Sequence, residues 1–121
     1  LSTTRADGRP QMSLVTGAMT ANRTLAISTY PERVKARNAR RNPLVSVAVL
    51  GDEFNDSWVQ IDGTATVLDL PGAGDAFVEY FRCISGEHPD WDEYREAMVV
   101  DRRVLLRLPI GHLYGMPPGM R

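Results

Sequence analysis

Apolar and polar residues alternate most regularly over Leu44 to Leu50, where Val45, Val47 and Val49 are offset by Ser46 and Ala48. A period of two sustained over that length predicts a strand with one face turned to a core. Looser runs surround it. Leu1 to Arg5 reads as the tail of a strand ending in the hairpin-type turn Asp7-Gly8. Pro10 to Met19 reads as a strand, Asn22-Arg23 as a turn and Thr24 to Thr29 as its hairpin partner. Ser57 to Leu70 reads as a long strand interrupted by Gly63, which marks a bulge or a close backbone approach. Arg103 to Tyr114 is the last strand, followed by an extended tail, Met116-Pro117-Pro118-Gly119.

Helical spacing occupies the gaps. From Glu32 to Arg41 strand formers nearly vanish, and Asn42-Pro43 stops the helix, because a residue before proline avoids the helical region. After Pro71, the residues Ala73, Ala76, Phe77, Tyr80, Phe81 and Ile84 recur at helical intervals until Gly86. Asp90 to Glu93 matches a capping box ahead of Tyr94, Ala97 and Met98. The order strand, strand, helix, strand, strand, two helices, strand has no Gly-rich phosphate loop and no regular alternation, which argues against a Rossmann-type sheet. It predicts a mostly β chain with flanking helices, a small closed or split β-barrel.

Composition narrows the function classes. At 121 residues, 43% hydrophobic and 24% charged, residues 1–121 are expected to form one folded domain. A formal charge of -1 disfavours nucleic acid and anionic membranes as partners, since both demand a broad positive surface. No apolar stretch reaches membrane-spanning length. The single cysteine, Cys83, has no internal disulfide partner, and no signal-like apolar leader precedes the first strand; the expectation is a reducing cytosol. Lying on an apolar helix, Cys83 is expected to be buried.

Candidate chemistry gathers at one junction. Arg33, Lys35, Arg37, Arg40 and Arg41 fall within nine residues, and Lys35 is the only lysine. A helix start offers unpaired N–H groups and partial positive charge, so Arg33 and Lys35, in the first turn, are expected to contact an anion. Arg40 and Arg41 read as solubilising residues or partners of carboxylates. Ser28 and Thr29 either complete the ring of donors or are plain strand residues. Gln11 and Ser13, two apart on a strand, share a face and are candidates to line a cofactor ring. Trp58 either walls a planar ligand or belongs to the core. His88 and His112 have no metal-ligand spacing, and no nucleophile elbow is present, so neither a metal site nor a catalytic side chain is expected.

Several segments together carry a family resemblance over nearly the whole chain. These are Asp7-Gly8-Arg9-Pro10-Gln11, Arg33-Val34-Lys35-Ala36-Arg37-Asn38 before Asn42-Pro43, Asp62-Gly63-Thr64-Ala65, and Asp101-Arg102-Arg103-Val104-Leu105-Leu106. The last continues through Pro109, Tyr114-Gly115 and Pro117-Pro118-Gly119-Met120-Arg121. The chain resembles the pyridoxamine-phosphate-oxidase-like split-barrel superfamily, and within it the branch that uses the deazaflavin coenzyme F-420. The resemblance implies a homodimer with the cofactor ring in a groove between protomers. It also implies that Arg33 and Lys35 hold phosphate with help from Ser28 and Thr29, that Gln11, Ser13 and Trp58 border the ring or its ribityl chain, and that Asn38 is a further candidate. Members begin with a helix and a complete first strand, so the expectation is a domain lacking that helix and part of the strand.

The implied activity is hydride transfer to a small conjugated acceptor such as an enone or quinone, with the cofactor supplying the chemistry. Arg37, Arg40 and Arg41 would suit the longer anionic tail of F-420. The alternatives are an FMN-binding oxidoreductase of the same fold and a non-catalytic carrier of either cofactor.

Overall fold

Each of the three longest predicted strands turns a corner and continues in a different sheet. In a computed structural model, which describes residues 1–116, Pro10 to Met19 divides into β2 (Pro10–Met12) and β3 (Gly17–Thr20). Ser57 to Leu70 divides into β6 (Trp58–Thr64) and β7 (Thr66–Asp69), and Arg103 to Tyr114 into β8 (Val104–Pro109) and β9 (His112–Met116). The undivided strands are β1 (Ser2–Thr4), β4 (Thr24–Thr29) and β5 (Leu44–Leu50), the last with the bounds its alternation predicts. The expected tail at Pro117-Pro118-Gly119 lies outside the described residues.

Two antiparallel sheets result, ordered β2-β1-β5-β6-β9 and β3-β4-β8-β7. The mostly β architecture with flanking helices is thus the expected one, as two sheets joined at corners. The corners are pinned by backbone bonds. Ala65, buried between β6 and β7, donates its N–H to the Pro43 carbonyl at 2.7 Å; Ile110 donates to Arg23 at 3.0 Å and Gly111 to Asp62 at 3.0 Å. Gly63 is a close approach and not the break itself, for a Cβ there would sit 2.6 Å from both Leu108 Cδ1 and the Pro109 carbonyl oxygen. The strand ends one residue later, at Thr64.

The hairpin of β3 and β4 forms as expected, from Gly17 opposite Ile27 to Thr20 opposite Thr24. Its turn places Asn22 and Arg23 at φ 58° and 53°, the left-handed region that asparagine tolerates better than most residues. The stop at Asn42-Pro43 ends α1 (Val34–Arg41), with the Asn42 N–H donating to the Asn38 carbonyl at 2.8 Å. α2 (Gly74–Ser85) ends at Gly86, φ 79°. α3 (Trp91–Val100) is capped by Asp90, which accepts from the Glu93 N–H at 3.1 Å.

The core has two parts. Leu25, Ile27, Val45, Val47, Ile61 and Leu106 pack between the sheets, together with Ala36 and Ala39 of α1. Ala26, Leu105, Phe77 and Tyr94 join the far face of the second sheet to α2 and α3. Alternation along β4 divides it between the two, with Leu25 and Ile27 facing one way and Ala26 the other. One expectation fails. Cys83 is exposed and donates to the Met19 carbonyl at 3.5 Å, because it lies six positions after buried Phe77, on the far side of α2. Among the described residues, no helix is long and apolar enough to cross a membrane.

Gly63→Ala is expected to destabilise the fold by about 1–3 kcal/mol, since its methyl group meets a backbone carbonyl that has no room to retreat. Urea unfolding measures it, and a midpoint equal to wild type would contradict the close approach.

Candidate functional site

β4 outruns its neighbour. Pairing with β3 stops at Gly17 opposite Ile27, while β8 continues alongside β4 until Val104 meets Thr29. Ser28 and Thr29 therefore border an opening at the sheet edge. Lys35 of α1 and Arg103, just before β8, meet them there, and the opening leads into a cavity of about 480 Å³. Leu14, Val15 and Thr16, the link between β2 and β3, form one wall, and the α2–α3 pair forms the other. No carboxylate lines it among the described residues.

The two cations are held differently. Arg103 is fixed on three sides: Nε donates to Asp101 Oδ2 at 2.8 Å, an Nη donates to Ser28 Oγ at 3.4 Å, and the guanidinium lies 4.3 Å from the Tyr30 ring centroid. The Tyr30 hydroxyl donates to the same Asp101 oxygen at 3.0 Å. The Arg103 guanidinium and then the Tyr30 hydroxyl hold the Asp101 carboxyl below its ordinary range. Lys35 makes no ion pair among the described residues. It is half-buried, and Arg33, at the α1 N-cap position, provides no side-chain cap to the first-turn amides.

Of the candidates from the sequence, the cavity brings together Ser28, Thr29 and Lys35. Arg33 does not line the cavity; its guanidinium lies 5.8 Å from the Tyr30 ring centroid, in a hollow shared with Glu32, Asp101 and Arg102. Asn38 is buried and engaged: it donates to Thr3 Oγ1 at 3.1 Å and accepts from Arg41 at 2.7 Å. Gln11 and Ser13 do share a locality, with Gln11 Nε2 donating to Ser13 Oγ at 3.3 Å and Gln11 Oε1 accepting from Thr3 at 3.2 Å. Trp58 belongs neither to the core nor to the lining of this cavity. It is 38% exposed on β6, edge-on to Tyr114 at 6.2 Å. Arg40 pairs with Asp69 at 2.6 Å, and Arg41 donates to the Thr4 carbonyl at 3.0 Å as well as to Asn38.

Arg103 is the cavity residue that sequence reasoning passed over. It is sixty-eight positions from Lys35, and only the antiparallel register of β4 and β8 brings the two together. The available signal was the Asp101-Arg102-Arg103 cluster at a strand start, where an arginine flanked by a carboxylate is ready to be oriented.

The two-sheet fold is that of a class of split-barrel proteins, and comparison with known proteins makes the class explicit. The family model described as pyridoxamine 5'-phosphate oxidase matches residues 1–115, and the chain belongs to that family. Similar solved structures include a conserved hypothetical protein from Mycobacterium tuberculosis, 23% identical, with a TM-score of 0.75 over 94% of this chain and 72% of that one. An F-420 reductase is 19% identical, with a TM-score of 0.68 over 93% of this chain and 85% of that one. An FMN-binding protein related to pyridoxamine 5'-phosphate oxidase, from Nostoc punctiforme, is 12% identical, with a TM-score of 0.71 over 96% of this chain and 71% of that one. At these identities the likeness is one of fold, and that fold serves an F-420 reductase and an FMN-binding protein alike.

Asp101→Asn should lower stability in a pH-dependent way. A carboxyl whose folded pKa is depressed contributes above its ordinary value of 3.8, and the contribution disappears as pH falls through the folded value. Thermal unfolding of both proteins at neutral pH and at successively lower pH should show a gap that closes only below about 3.8. A gap independent of pH would contradict the ion pair.

Proposed function

We propose that this chain is an oxidoreductase that binds a deazaflavin, coenzyme F-420, with its phosphate at Lys35 and Arg103, and reduces a small conjugated acceptor. The observation that carries this reading is the Lys35 ammonium, which among the described residues makes no ion pair and shares a cavity lined by no carboxylate with an arginine held on Ser28. The donor set suits an anionic ester: two cations, the Ser28 and Thr29 hydroxyls and the open first turn of α1. When bound, such a ring supplies hydride transfer. The residues of this chain bind and orient it. Arg103 offers a rigid planar donor, and Lys35 a point charge that follows the anion. Leu14, Val15, Phe81 and Met98 on the walls would lower the local dielectric and strengthen both contacts.

FMN is a second reading, and one observation favours it. Of the three arginines suited to a long anionic tail, Arg40 and Arg41 are engaged within the protomer, leaving Arg37. Calorimetry with each cofactor decides between them, equal or tighter FMN binding speaking for FMN. Lys35→Ala should weaken whichever binds by about ten- to a hundred-fold, equivalent to roughly 1.5–3 kcal/mol. An unchanged dissociation constant would refute the assignment of Lys35. Oxidation of the reduced cofactor by a panel of enones and quinones separates an enzyme from a carrier.

A homodimer belongs to the same proposal. One face of β5, β6 and β9 exposes Leu44, Leu50, Trp58 and Tyr114 around a polar centre where Ser46 and Gln60 donate to Asp62 at 2.6 and 2.9 Å. An apolar rim of that extent on a sheet face calls for cover, and a second copy provides it. Sedimentation should show a dimer that Leu50→Asp shifts toward monomer with its circular dichroism intact. A monomeric wild type would end this part of the proposal.

A further inference from the structure

The Lys35 cavity has a second end. Phe81 of α2, Tyr94 and Met98 of α3, and His88 of the intervening loop close it. Both tyrosine hydroxyls on that wall are directed to backbone carbonyls: Tyr80 donates to Thr16 at 3.1 Å and Tyr94 to Phe77 at 3.1 Å. His88 differs. Its Nδ1 accepts the Asp90 N–H at 3.0 Å, and a ring nitrogen that accepts carries no hydrogen, so the neutral imidazole has its proton on Nε2.

The ring is also held in place. It stacks on Tyr94 at 5.7 Å and 25°, and meets Phe81 edge-on at 5.2 Å. The adjacent Glu87 is turned elsewhere, accepting from Arg82 at 2.8 Å and from the Trp91 indole at 3.2 Å. Among the described residues Nε2 has no partner, which makes it the uncommitted donor at the aromatic end. A rigid N–H set among aromatic faces, across a cavity from two cations, is chemistry for a flat ligand with an anion on one side and an acceptor atom on the other.

We propose that the cavity is a two-ended site for an aromatic ring bearing an anionic group: Lys35 and Arg103 take the anion, and His88 donates through Nε2 to an acceptor atom of the ring. This rests on the anion reading of Lys35 given above. The ring is the cofactor's own, since in that reading the cofactor's phosphate already occupies the two cations.

The chain has two histidines, and His112 lies on β9 in the other sheet, so it serves as an internal reference. Nitrogen NMR of the imidazoles follows titration with inorganic phosphate, para-nitrophenyl phosphate, FMN and F-420. A ring-bearing anion is expected to move the Nε2–H signal of His88 and leave His112 in place, while inorganic phosphate moves neither. His88→Phe, which keeps a ring in the cluster, should weaken the same ligand about tenfold and leave inorganic phosphate unaffected; His88→Gln, whose amide reaches the Nε2 position, should restore part of the loss. A shift caused by FMN or F-420 supports this assignment, and a shift caused by para-nitrophenyl phosphate with none from either cofactor would overturn it. The inference is overturned if none of these rings moves His88, or if His88→Phe binds as tightly as wild type. Loss on His88→Phe without loss on Lys35→Ala would instead sink the anion assignment and leave the ring contact standing.

Discussion

The contact between two corners, Gly63 against Leu108 and Pro109 with the Gly111 N–H on the Asp62 carbonyl, is the constraint from which the rest of the molecule follows. It seats the turn from β8 to β9 against β6 just before that strand becomes β7. Both β6 and β8 thereby cross between sheets at nearly the same place, and the inter-sheet core closes around Ile61, Leu106 and Leu108. With β8 anchored at that end, its pairing with β4 fixes the opposite end too, where Val104 lies across from Thr29. Arg103 reaches the mouth of the cavity because a register set by glycine packing at the other end of the strand puts it there.

The elements themselves were legible. Local pattern located β4, β5 and all three helices, because alternation, a residue before proline, an Asp cap and a glycine terminator each act over a few positions. The corners were not legible, and for a definite reason. Gly63 near Ala65, and Pro109 and Gly111 around Ile110, are local break signals, but nothing in them says that the strand resumes in the other sheet. What ends each strand is a partner far away: Pro43 for Ala65 and Arg23 for Ile110. The same division runs through the site. Lys35 was legible from a local helix start, whereas Arg103 depends on pairing. Arg33 shares that helix start, but the Tyr30 ring and the Arg102 hollow draw it aside.

The chain has almost no net charge, yet its cavity is positive, because the pairing of acidic and basic groups is uneven in space. Arg40, Arg82, Arg95 and Arg5 each meet a carboxylate on the surface. Such exposed pairs add little stability, but each cancels the long-range field of its own arginine. Lys35 is left out of this pairing and Arg103 is only partly neutralised by Asp101. Near-neutrality and a local anion site are therefore compatible, and the first helps to make the second specific.

The two walls of the cavity differ in how firmly they belong to the fold. The Ser28, Thr29, Lys35 and Arg103 side is built on β4, β8 and α1, elements that carry the inter-sheet core, so a change there disturbs the frame as well as the ligand. The other wall is the α2–α3 pair, which rests on the second cluster around Phe77, Tyr94 and Leu105 and on single bonds such as Tyr80 to Thr16. His88 sits on the loop of that pair, anchored by neighbouring rings and by one backbone N–H. Substitution at the loop alters what the cavity recognises without touching the core that holds the anion end. In the proposed site, affinity for the charged group and selectivity for the rest of the ligand would thus reside on different elements, which the cluster of Ala26, Leu105, Phe77 and Tyr94 packs together.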